Sequence, residues 1–163
     1  MPAMSDMLTL SVDLPEVALA PGEVLVLEGN PNGPVWVLVE GELTVSKGDV
    51  EVNAITQPGA VIGEMSVLLG QHHGATVVAS TAARLRVAQD GLVFLGRDPV
   101  VLRLVAEGLA RRLNFVTTYL ADLKDQYGDA PGLSMVAEIL STLGHHGQPT
   151  ARPGSARDPE PKY

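Results

Sequence analysis

Residues 61–80 read VIGEMSVLLGQHHGATVVAS, and the two halves of this stretch want different structures. GEMSVLL at 63–69 reads as a turn opening a helix of one or two turns, whereas ATVVA at 75–79 is a short β-branched run and reads as a strand. The first N–H groups of a short helix between two strands have no partner inside the helix. Those donors, with the positive end of the helix dipole, make a place for an anion.

The surroundings of this stretch are β-rich. From residue 8 to about residue 89 short apolar runs are cut by glycine, with VLVL at 24–27, VWVLV at 35–39 and LTV at 43–45, and these predict strands. The punctuation is regular: Pro21-Gly22, NPNG at 30–33, KGD at 47–49 and Pro58-Gly59. Many short strands between turn signals point to a small sandwich or barrel.

After Gly96 the apolar period lengthens to between three and four, so helix is expected. Asp98 suits an N-cap, Pro99 suits the first helical position, and Gly128 is a natural stop. Leu102, Ala106, Leu109, Leu113, Val116, Leu120, Leu123 and Tyr127 recur at alternating spacings of four and three, a heptad seam suited to dimerisation. The other reading of the seam is an amphipathic helix lying on its own barrel. Val101, Leu104 and Val105 occupy a neighbouring face that could pack inward while Leu113 to Leu123 face a partner. Gly108 costs about 1 kcal/mol of helix propensity relative to Ala, which hints at close packing or a bend.

A shorter helix is expected from Leu133 to Leu143, with Leu133, Val136, Leu140 and Leu143 on one face. The residues from 144 onward are rich in Pro and Gly and poor in large apolar side chains, the composition of a disordered tail. The expected organisation is a barrel at 1–96, a long helix at 97–128, a short helix at 129–144 and a tail at 145–163.

Composition narrows the function classes. The chain has 163 residues, 45% of them hydrophobic, enough for one domain with a core. Eleven basic against nineteen acidic side chains give a formal charge of −8, which opposes non-specific attraction to nucleic acid or anionic membranes. Cysteine is absent, so disulfides, thiolate metal sites and cysteine nucleophiles are excluded. No run approaches the roughly 18 to 20 apolar residues of a membrane span, and MPAMSDMLTL lacks the layout of a signal peptide. A soluble cytoplasmic protein without membrane contact is the expectation.

The ordered set of motifs resembles the cyclic nucleotide-binding domain shared by the catabolite activator protein, cyclic-nucleotide-dependent kinases and cyclic-nucleotide-gated channels. That family's phosphate-binding cassette reads Phe-Gly-Glu, a small residue, a Leu-rich turn, then Arg-x-Ala-Thr; Gly63, Glu64, Ser66, Leu68, Leu69, Ala75 and Thr76 match it in order. The likeness extends through PGEVLVLEG at 21–29, VEGELTV at 39–45, Pro58-Gly59, RDPVV at 97–101 and GLARRL at 108–113. It implies a mainly β fold, a double-stranded β-helix (jelly-roll) barrel followed by a long dimerisation helix and a short C-terminal helix. It also implies a cyclic nucleotide, cAMP before others, as ligand, and no other cofactor.

By this resemblance Glu64 accepts a hydrogen bond from the ribose 2′-hydroxyl, Gly63 allows the tight turn beside the sugar, backbone N–H groups near Ser66 and Ala75 meet the cyclic phosphate, and Met65 belongs to the ligand-binding set. Gly74 and Thr76 complete the implied site. The other reading of Glu64 is a surface carboxylate that caps its helix.

His73 stands where the family has its phosphate-binding arginine. Arginine brings a permanent charge and a fork of donors for two phosphate oxygens, whereas with a reference pKa near 6.5 only about a quarter of histidines are charged at pH 7. A pocket that no longer binds, a weakened or pH-sensitive pocket and a pocket for another anion all fit the exchange, as does a solvated loop histidine beside His72. Gly74 lacks the side chain that cyclic-GMP-selective members use on guanine. Alignment on ARRL at 110–113 puts Val116 and Thr117 where the catabolite activator protein carries two hydroxyl residues on adenine, so Thr117 alone keeps the group; Thr117 and Thr118 equally suit an exposed helix.

Family transcription factors continue into a winged helix-turn-helix. The helix expected at 133–143 holds no Lys or Arg, so direct DNA binding is not expected. His72 and His73 are adjacent and His145 and His146 lie far along the chain, so no cupin-like metal triad forms, and no Gly-x-Ser-x-Gly context accompanies a Ser-His-Asp order. The sequence therefore predicts a non-enzymatic, homodimeric sensor with a cyclic nucleotide as ligand and a further protein as partner. The alternative is a ligand-free scaffold of the same fold.

Overall fold

The computed structural model describes residues 7–127 and 134–143. The chain divides into two compact units at Glu107/Gly108. Among the described residues the first unit holds eight strands: β1 Glu16–Leu19, β2 Val24–Val26, β3 Val35–Glu40, β4 Leu43–Lys47, β5 Val50–Ile55, β6 Val61–Ile62, β7 Thr76–Ala79 and β8 Ala83–Ala88. They form two antiparallel sheets, in the orders β1-β8-β3-β6 and β2-β7-β4-β5. The chain passes repeatedly from one sheet to the other, which is the jelly-roll arrangement.

The pleat explains why these runs became strands. On β3, Trp36 and Leu38 turn toward the barrel core, which gathers Val26, Leu38, Leu43, Ile62, Val77, Ala79, Ala83 and Leu85. Val35 and Val37 point to the opposite face yet are also fully buried. A strand covered on both sides reads as a continuous apolar run, and VWVLV at 35–39 is one. Between β3 and β4, Gly41 has φ 101° and a Cβ there would lie 2.5 Å from the Ala82 carbonyl oxygen, so the crossing tolerates no side chain.

Residues 7–10 are helical, where the sequence pattern suggested the first of the strands. The reason is remote: Arg86 donates to the Leu8 carbonyl and the Ser11 hydroxyl, while Arg97 donates to the Leu10 carbonyl and grips Asp13 through two bonds of 2.9 Å. Ser11 Oγ also donates back to the Met7 carbonyl at 2.8 Å. Two arginines more than 70 residues away thus satisfy the end of this turn.

Two short helices complete the barrel, α1 Glu64–Leu69 between β6 and β7, and α2 Gly91–Gly96 after β8. α2 was not separable from the long helix by periodicity. Asp90 caps it by accepting from the Val93 N–H at 3.1 Å, and it buries Phe94 and Leu95. Pro99 disfavours helical backbone at the residue before it, so the chain restarts as α3, Pro99–Tyr127. Asp98 caps α3 as expected, its Oδ1 accepting from the Val100 N–H at 2.8 Å. Val101, Leu104 and Val105 are buried within the first unit.

The second unit contains the remainder of α3 and α4, Ser134–Thr142. Of the heptad seam, Leu102, Ala106, Leu113 and Val116 are exposed and Leu109, Leu120 and Leu123 half-buried. Close packing does not account for Gly108, since a Cβ there would meet nothing within 4 Å. The stop expected at Gly128, the Tyr127 side chain, Leu133 and the tail at 144–163 lie outside the described residues.

Candidate functional site

β6 ends at Ile62 and the chain turns at Gly63, whose φ of 91° belongs to the left-handed region. A Cβ at Gly63 would sit 3.0 Å from the Pro34 carbonyl oxygen and 3.2 Å from the Trp36 ring. Both dihedral and space require glycine there. α1 follows with Glu64, Ser66 and Val67 buried and Met65, Leu68 and Leu69 exposed. Gly70, also left-handed at φ 65°, closes the helix, and the Gln71 N–H returns to the Ser66 carbonyl at 3.0 Å.

The segment that leaves α1 is tied to its neighbours by backbone and side-chain hydrogen bonds. His73 donates its N–H to the Asn30 carbonyl at 2.9 Å and accepts from the Gly29 N–H at 2.8 Å. Asn32 Nδ2 donates to the Gln71 carbonyl at 2.7 Å. The His73 ring is 7% exposed, its Nδ1 3.1 Å from Ser66 Oγ and its centroid 6.5 Å from that of Trp36. Residues seven apart are thereby joined side chain to side chain, so α1 and the segment leading into β7 form one rim.

Burial lowers the His73 pKa below its ordinary value, and the neighbouring His72 adds to the effect. Both effects disfavour the charged ring. The solvated-loop reading fits exposed His72 and fails for His73.

Further along the rim, Lys47 Nζ donates to the Gly74 carbonyl at 2.9 Å. Thr76 Oγ1 accepts from the Glu28 N–H at 3.0 Å, and Glu28 Oε1 accepts from the Gly48 N–H at 2.9 Å. Gly74 is exposed, with Ala75 and Thr76 half-buried. The rim thus offers main-chain donors, an imidazole, two hydroxyls and a buried carboxylate, a set suited to an oxygen-rich ligand with hydroxyl groups.

The structure brings Gly63, Glu64, Met65 and Ser66 together with His73, Gly74, Ala75 and Thr76 in the first unit. Thr117 belongs to the second unit, and its contact with adenine rests on the sequence resemblance alone. Sequence reasoning missed Trp36, Asn30, Asn32 and Lys47. For Lys47 a signal existed, because it follows Leu43 and Val45 at the strand period of two.

The family model described as the cyclic nucleotide-binding domain matches residues 16–90, from the start of β1 to the cap of α2. Over these residues the barrel is similar to the cyclic nucleotide-binding domain. Solved structures share its fold. PKAR CBD2 bound to Sp-2Cl-cAMPS is 20% identical with a TM-score of 0.55, covering 74% of this chain and 86% of that one. The regulatory domain of Toxoplasma gondii PKA with cAMP is 18% identical with a TM-score of 0.54, covering 66% of this chain and 43% of that one. The regulatory subunit of a cAMP-independent protein kinase A from Trypanosoma brucei is 21% identical with a TM-score of 0.53, covering 66% and 42%. The chain thus spans less than half the length of the last two. No curated protein sequence matches it significantly. Among the described residues, no helix is long and apolar enough to cross a membrane.

Proposed function

We propose that this barrel is a cyclic nucleotide-binding domain acting as a cAMP sensor. Gly63, Glu64, Met65 and Ser66 hold the ribose and one side of the cyclic phosphate, and His73, Gly74, Ala75 and Thr76 hold the other. The observation that carries this reading is the Ser66–His73 contact, which closes both ends of the cassette into one rim inside the region matched by the family model. Glu64 opens α1 and is 4% exposed, which supports reading it as the ribose acceptor. Gly74 presents no side chain to a guanine, which favours adenine. Two of the similar folds were solved with cAMP or an analogue, which sets the ligand to test first.

His73 acts here as a neutral hydrogen-bonding group, so affinity is lower than an arginine would give. Ligand shifts a pre-existing equilibrium of the module by its differential affinity for two states. Homodimerisation through the α3 seam is part of the proposal, supported by the exposure of Leu102, Leu113 and Val116 on a helix of 29 residues.

A thermal melt with and without millimolar cAMP tests the reading, because a ligand that binds only the folded state must raise the midpoint. A rise with cAMP larger than that with cyclic GMP is expected. No shift with any cyclic nucleotide would replace the sensor by a ligand-free scaffold.

A further inference from the structure

The cassette at 61–80 contains no arginine or lysine, and its one buried histidine sits where a charged ring is disfavoured, so a positive charge for an anionic ligand has to come from a neighbouring segment. Arg84, Arg86, Arg97 and Arg103 are all engaged with carboxylates: Arg84 with Glu16 and Glu40, Arg86 with Glu16, Arg97 with Asp13 and Arg103 with Glu107. We infer that Lys47, at the end of β4, supplies the cationic contact to the phosphate of the ligand. The inference rests on the reading that this rim binds a cyclic nucleotide.

The strand register puts Lys47 in place. β4 runs against β7 without interruption, Leu43 opposite Ala79, Thr44 opposite Val78, Val45 opposite Val77 and Ser46 opposite Thr76. One step further sets Lys47 against Ala75. The irregularity between β4 and β5 falls where Val45 pairs with Asn53 and Ser46 with Glu51, so β5 carries the extra residue and β4 keeps its alternation. Leu43 is fully buried, Val45 is packed against the core, and Lys47 continues the same face to the open end of the strand.

The ammonium then reaches over the cassette. It donates to the Gly74 carbonyl at 2.9 Å and lies 3.7 Å from the point where a Gly74 Cβ would stand. That distance is an ordinary van der Waals contact, so the ammonium packs directly beside the backbone of Gly74. A carbonyl occupies one of three ammonium donors and neutralises none of its charge. Glu28, the carboxylate on the adjoining segment, accepts from the Gly48 N–H, and Lys47 makes no ion pair among the described residues. Lys47 is thus a cation at the rim, positioned by a strand rather than by the loop where the family keeps its arginine.

The test is titration calorimetry of cAMP against the wild-type chain, Lys47→Met and Lys47→Arg, with the ligand-free melting midpoint of each. Methionine keeps the apolar stem and removes the charge, and loss of one charge-assisted contact is expected to weaken binding about tenfold. Lys47→Arg is expected to bind within about twofold of wild type, since a guanidinium also suits phosphate. Wild-type binding with Lys47→Met equally tight overturns the inference and leaves the cAMP reading standing. Equal weakening by both variants, with a lowered ligand-free midpoint, also overturns it by making Lys47 a structural strut for Gly74. No binding of any cyclic nucleotide to the wild type sinks reading and inference together.

Discussion

Replacing His73 by arginine should move affinity and ligand-free stability in opposite directions. His73 is 7% exposed, burial disfavours its charged form, and its Nδ1 lies 3.1 Å from Ser66 Oγ. A neutral hydrogen bond contributes about 0.5–1.5 kcal/mol and one to a charged group about 1.5–3, so the exchange gains roughly 1–1.5 kcal/mol toward a phosphate. At 1.4 kcal/mol per decade that is close to tenfold tighter binding of cAMP. Without ligand the guanidinium loses the Ser66 contact and sits partly desolvated, at a cost of about 1 kcal/mol or more. For a domain of this size each kcal/mol lowers the midpoint by about 3–4 °C. Calorimetry at pH 7.5 and paired melts with and without cAMP read both effects. A variant that is destabilised yet binds no more tightly than wild type would mean that the side chain at 73 does not face the phosphate, and the alignment of the cassette would be wrong.

The depressed pKa of His73 gives a second expectation with a definite sign: its contribution to stability is complete above the unfolded value, about 6.5, and is lost as pH falls through the lower folded value. Urea melts between pH 7.5 and 5.5 should therefore show a smaller acid loss for His73→Asn than for wild type, and cAMP affinity should stay flat between pH 8 and 7; a tenfold rise over that interval would show an imidazolium in the site. Gly63→Ala forces a Cβ to within 3.0 Å of the Pro34 carbonyl at φ 91°, which should cost about 1–3 kcal/mol in a thermal or urea melt and weaken cAMP binding; a loss under 0.5 kcal/mol would mean the turn relaxes freely. Leu113→Glu with Val116→Glu should halve the solution mass measured by sedimentation while the near-ultraviolet signal of Trp36 in the barrel is kept; an unchanged mass would end the case for the seam.

Much of the barrel was legible because its strands obey local rules. VLVL at 24–27, VWVLV at 35–39 and LTV at 43–45 became β2, β3 and β4, and GEMSVLL with ATVVA became the helix and strand expected of them. Asp98 and Pro99 marked the start of α3 to the residue. What stayed hidden depends on distant partners. The helical turn at 7–10 is held by Arg86 and Arg97, and α2 exists because Asp90 caps it and Phe94 and Leu95 find a core, none of which periodicity can register. Strand β5, VEVNAI, alternates apolar and polar residues over its first five positions, yet those five are all exposed, so its pattern does not report a buried face. In the site, the motif gave the residues but not their state: His72 and His73 are indistinguishable by sequence, yet one is exposed and the other buried against Ser66.

The overall charge of −8 and the proposed anionic ligand are reconciled by distance. Exposed charges more than about 8 Å apart are largely screened at physiological salt, so a ligand on the rim feels the few groups around it. The acidic side chains of Asp13, Glu16 and Glu40 are matched by Arg97, Arg84 and Arg86 on the other sheet, where they fasten strands and the N-terminal turn. Near the cassette the balance is different: Glu64 is buried, Glu28 accepts a backbone N–H, burial disfavours a charge on His73 and Lys47 hangs over Gly74. In the proposed site, with the charged form of the cassette histidine disfavoured, recognition would shift to backbone donors and to a lysine on a neighbouring strand. Such a site depends on the register of β4 against β7, so a substitution that slips this pairing by one residue would turn Lys47 away from the rim and abolish binding without touching the cassette.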